Sequence, residues 1–71
     1  MQPLFSSEFS QNQFTELFTI YQISQNLFQA KSSNQVIVLW KTNHGWDGAT
    51  NQDEPVLIVS IGKAIDKYLN S

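Results

Sequence analysis

Seventy-one residues with a formal charge of −2 and no cysteine exclude several ways of building and using a protein. A chain this short hides only about 60% of the surface its unfolded form exposes, and neither disulfides nor thiolate zinc sites can reinforce it. All four basic residues are lysines, so the bidentate arginine contacts that read phosphate and guanine are missing and no basic cluster marks a nucleic-acid surface.

A single histidine cannot supply the three or four ligands of a usual zinc site, and neither a metal nor a cofactor is expected. No apolar run reaches the roughly 18 residues that span a bilayer, so no membrane partner is expected. The start, MQPLFSSEFS, lacks the positive and apolar blocks of a secretory leader, and a cytoplasmic protein is the expectation. The length fits one domain over residues 1–71.

The first element is expected to be a long helix over residues 10–30, starting between Ser6 and Ser10. Ser10 and Gln13 have the spacing of a capping box. At about 100° per residue, Phe14, Leu17, Phe18, Tyr21 and Phe28 share one side. Ile20, Ile23 and Leu27 form a neighbouring side that would face a subunit or partner. Residue types over Phe14–Ile23 also suit a strand, but apolar–polar alternation fails at Leu17–Phe18 and Ile20–Tyr21, which favours the helix.

The polar stretch KSSNQ, residues 31–35, reads as a connection. Val36–Trp40 and Val56–Ile61 read as strands, and their nearly continuous apolar character implies cover on both faces. Gly62 then permits a turn, with Ser60 or Gly62 capping a second helix. Along it, Ile61, Ala64, Ile65, Tyr68 and Leu69 take the buried side, while Lys63, Asp66 and Lys67 face solvent. The expected fold is α+β in the order α-β-β-α, a long N-terminal helix on a small antiparallel sheet. Two strands are marginal alone, so a second subunit is expected to complete the sheet.

Between the expected strands lies Lys41–Glu54, KTNHGWDGATNQDE, which holds the only histidine and two of the three glycines. His44 beside Asp47 could act as an acid–base pair. No serine or cysteine sits in a nucleophile setting, and His44-Gly45 and Asp47-Gly48 are explained as turn residues. Asp47, Asn51, Asp53 and Glu54 match no calcium-loop spacing. Pro55 suits the first residue of a strand. Trp46 either folds back onto the core or meets a partner, where tryptophan buries much area with few torsions.

These features indicate a non-enzymatic interaction or regulatory protein, homodimeric, with another protein as a further candidate partner. No catalytic residue is assigned. The contact residues expected are Trp46, His44 and Asp47 in the loop, with Ile20, Ile23 and Leu27 on the helix. The alternative is a small-molecule-binding protein or minor enzyme using the Lys41–Glu54 loop.

Overall fold

The computed structural model describes residues 2–11, 14–49 and 55–70. Five strands run in sequence order: β1 (Phe5–Gln11), β2 (Phe14–Gln22), β3 (Leu27–Lys31), β4 (Val36–Thr42) and β5 (Gly45–Ala49). Each pairs antiparallel with the next, giving the spatial order β1-β2-β3-β4-β5. One helix, α1 (Pro55–Leu69), follows and packs on β5, β1 and β4.

This architecture corrects the expected α-β-β-α order. The helix expected over residues 10–30 does not form, because that stretch is β2, most of β3 and the end of β1. Alternation is kept by the backbone and hidden by the residue types. Phe18 and Ile20 point to the core and are fully buried, whereas Leu17, one residue before Phe18, is 57% exposed on the opposite side. A strand with large apolar residues on both faces has no apolar–polar period, and a wide apolar helix gives a similar pattern. Ser10 caps nothing; its hydroxyl meets that of Thr15 across the β1–β2 ladder at 3.2 Å. Gln13 lies outside the described residues.

The strand expected over Val56–Ile61 is the beginning of α1, and the helix begins at Pro55 instead of Gly62. Proline suits a first helical position because its missing N–H would have had no partner there. Leu57, Ile58, Ile61 and Ile65 are buried while Val59 and Lys63 are exposed, which is helical periodicity. Packing of that side on the sheet outweighs the weak helix preference of valine and isoleucine. Asp53 and Glu54 lie outside the described residues.

Nor does the sheet consist of two strands that a second subunit must complete. One chain supplies all five, and much of the expected long loop is a tight hairpin of β4 and β5 around Asn43-His44. Gly45 closes that turn at φ 122°, a conformation side chains disfavour. Thr42 stabilises it from both sides: its hydroxyl accepts from the His44 amide at 3.1 Å and donates to the Gly45 carbonyl at 3.0 Å.

The core lies between α1 and one sheet face. Phe9, Phe18, Ile20, Phe28, Ala30, Ile37 and Leu39 meet Leu57, Ile58, Ile61 and Ile65 there. Phe9 and Phe18 pack edge to face with centroids 6.0 Å apart, and Phe5 stacks on Tyr68 near the helix end at 4.9 Å.

Candidate functional site

Two regions are organised beyond what the core requires, one on each side of the sheet. On the helix side, Lys41 and Trp46 are opposite one another in the β4–β5 ladder. The Trp46 ring lies over Gly62 of α1, where a β-carbon would collide with the indole atoms. Phe28 meets the same ring edge to face at 5.4 Å. The indole Nε1 donates to Asp66 at 3.0 Å, and the Lys41 ammonium donates to both Asp66 oxygens at 2.6 and 2.7 Å. That ammonium also lies 5.3 Å from the Trp46 ring centroid, within cation–π range.

These bonds hold the Asp66 carboxyl below the usual carboxylate range, chiefly through Lys41 and then through Trp46. They clasp the end of α1 to the hairpin. Beside the clasp a groove of about 290 Å³ opens between Gln25 and Asn26 of the β2–β3 turn and Asn70 after the helix, with Phe28 and Trp46 among its walls. It sits at the lower limit of small-ligand pockets.

The other region is the sheet face turned away from α1. The register aligns Leu27 with Trp40 and Asp47, Tyr21 with Gln29, Val38 and Ala49, and Thr19 with Lys31 and Val36. Ile23, one residue past β2, continues the pattern and is 44% exposed. Leu27, Val36, Val38, Trp40 and Tyr21 are only half-buried, and no described element packs on this face. Charge is confined to its margin: Glu8 on edge strand β1, Asp47 on edge strand β5, and Lys31 at the end of β3.

The residues singled out in the sequence are dispersed over both regions. His44 sits exposed in the β4–β5 turn, and Trp46 lies against α1. Asp47 belongs to the open face, where its carboxylate accepts from the Gly48 amide at 2.8 Å. Histidine and aspartate are therefore not assembled as an acid–base pair. Ile20 is fully buried in the core, whereas Ile23 and Leu27 lie on the open face. Asn51 is outside the described residues, and among the described ones no three acidic, histidine or cysteine side chains gather as a metal site.

In the sequence Asp66 falls on the solvent side of the expected second helix, and Gly62 reads as a turn residue or a helix cap. Both are parts of the clasp, and only the tertiary fold brings Lys41 and Asp66 together. A further polar group joins Glu16, Ser32 and Gln35. Ser32 donates to Glu16 through its hydroxyl, and the Gln35 amide donates to Glu16 at 3.3 Å. The hydroxyl also accepts from the Gln35 backbone amide, which fixes the β3–β4 turn. No described helix is long and apolar enough to cross a membrane. Comparison with protein families, characterised proteins and solved structures gives no match for this chain.

Proposed function

We propose that this is a small non-enzymatic interaction protein that works as a homodimer, two copies meeting through the open faces of their sheets. The observation that carries this reading is the apolar, centrally uncharged face formed by Leu27, Val36, Val38 and Trp40 with Tyr21 and Ile23. Interface centres are depleted of charge and enriched in aromatic residues, with polar groups at the rim, and this face has that layout. A protein built to leave its sheet wet on one side would alternate apolar and polar residues along β4. Here Val36, Val38 and Trp40 take one side, and Ile37 and Leu39 the other.

A second copy suits the face better than a highly charged partner, because the face has no strong field to complement. Five strands about 4.8 Å apart and five to nine residues long give a footprint on the order of 400 Å². Two such footprints make about 800 Å², below the roughly 1,200 Å² of total area at which stable specific interfaces start and in the range of weak, transient ones. Micromolar affinity is the corresponding expectation.

Light scattering at tens of micromolar (about the range such an affinity requires) should give twice the 8.1 kDa chain mass. Val38→Glu should return the mass to one chain with an unchanged circular dichroism spectrum. A wild-type monomer at that concentration, or a Val38→Glu dimer, would overturn the reading.

A second reading, a small-molecule-binding protein, is favoured by one observation, the groove between Asn26, Trp46, Asp66 and Asn70. It would use Lys41 and Trp46 from the hairpin and leave His44 and Asp47 outside the site.

A further inference from the structure

We infer that the groove beside the clasp takes a neutral saccharide, a single pyranose ring laid against Trp46 and Leu69. This rests on the small-molecule reading and names the class of ligand. Three primary amides rim the groove: Gln25 and Asn26 on the β2–β3 turn, and Asn70 after α1. Their backbones are anchored. The Gln25 carbonyl accepts from the Gln22 side chain at 3.5 Å, and the Asn26 carbonyl accepts from the Lys41 amide at 3.0 Å. The Asn70 amide donates to the Asp66 carbonyl at 3.0 Å. The three side chains, by contrast, form no hydrogen bond among the described residues. Held backbones thus carry uncommitted amides, each with donors and an acceptor to offer.

The charges of the groove cancel. Lys41 and Asp66 are the ionic residues lining it, and the ammonium donates to both carboxylate oxygens. A charged ligand would have to compete with that pair, whereas a neutral one leaves it in place. Leu69 is 49% exposed at the apolar part of the wall, which Trp46 and Phe28 continue. A matching ligand needs an apolar face for this wall, and groups that donate and accept on more than one side of its perimeter. A pyranose has that distribution, with C–H bonds on its faces and hydroxyls around its ring. A flat heteroaromatic ring also has apolar faces, but its ring nitrogens only accept and its exocyclic groups serve fewer sides. The groove volume of about 290 Å³ accommodates one such ring, and a few well-placed polar groups on an apolar wall are what orients a bound ligand.

The test is a titration followed by heteronuclear NMR. Methyl glucopyranoside, methyl galactopyranoside and methyl mannopyranoside would each be added to about 50 mM, because water competes for every hydroxyl and dissociation constants on the order of 1–10 mM are expected. At least one sugar should give saturable shifts at the side-chain amides of Gln25, Asn26 and Asn70 and at the Trp46 indole. Asn26→Ala combined with Asn70→Ala removes two rim amides and spares the backbone bonds. It should weaken that binding by about tenfold and leave the thermal midpoint unchanged. Should the double variant fold poorly, Asn70→Ala alone, beyond the last helical residue, should show part of the same loss. Equal affinity in these variants would overturn the site.

Nicotinamide and tetramethylammonium, titrated in parallel, separate the two levels. Saturation of the same signals by either one, with none by the sugars, would reject the saccharide and keep the small-molecule reading. No saturation by any of the five probes would reject both.

Discussion

The two faces of the sheet carry similar residues and have opposite fates. Beneath α1, Phe18, Phe28, Ile20, Ile37 and Leu39 are at most 1% exposed. On the far side, Leu27, Val36, Val38 and Trp40 remain half open. Residue type does not separate the faces; the single helix does. Among the described residues one helix covers one side of the five-stranded sheet, so the apolar residues on the other side stay outside that core.

That contrast gives the largest expected difference between two substitutions. Phe18→Ala should cost about 3–5 kcal/mol, combining lost burial with a cavity, whereas Val38→Thr should stay within about 0.5 kcal/mol when measured on dilute protein. Urea unfolding reads both. Comparable losses would show that the open face belongs to the folding core and would end the contrast.

Gly62→Ala sharpens the helix side of the comparison. Its new methyl group must displace the Trp46 ring, at about 1–3 kcal/mol. Trp46→Leu in the same chain should restore part of the loss, because the two positions share one contact. Additive losses in thermal unfolding would show that the indole is not what the helix rests on.

The smallest effect belongs to Asp66. The folded chain holds this carboxyl below its ordinary range, so the unfolded chain takes up the proton more readily. The clasp's contribution is therefore present above a pH of about 4 and disappears as pH falls through the lowered folded value. Both partners are well exposed, the Lys41 and Asp66 side chains at 43% and 38%, so the pair should contribute no more than about 1 kcal/mol. Asp66→Asn should flatten that part of the stability–pH curve and leave it unchanged near neutrality apart from a small constant loss. An unaltered acid slope would show that Asp66 is not the group responsible.

How far the chain could be read depended on whether one face or two were apolar. The spacing of Ile61, Ala64 and Ile65 marks the second half of α1 because the side opposite them is polar, whereas the apolar run Val56–Ile61 disguises its first half as a strand. Val36–Trp40 is legible as a strand from its unbroken apolar run. Phe14–Gln22 has the same two-sided character, diluted by Thr15, Glu16 and Thr19, and loses its period as a result. β5 is hidden differently: GWDGA contains two glycines and an aspartate, all poor strand formers, and it holds its place by pairing with β4. Trp46 was recognisable as important, but its partners Gly62 and Asp66 become visible only when α1 folds back across the hairpin.

The positions of the two tryptophans have a spectroscopic consequence. Trp40 and Trp46 lie on adjacent strands and point to opposite sides of the sheet, so the chain carries one tryptophan per face, and excitation at wavelengths where the two tyrosines do not absorb singles it out. A Trp40→Phe protein emits only from the ring above Gly62 and reports undocking of the helix. A Trp46→Phe protein emits only from the open face and reports the polarity of whatever meets it. Folding and association can thus be followed as two separate optical signals without attaching a dye.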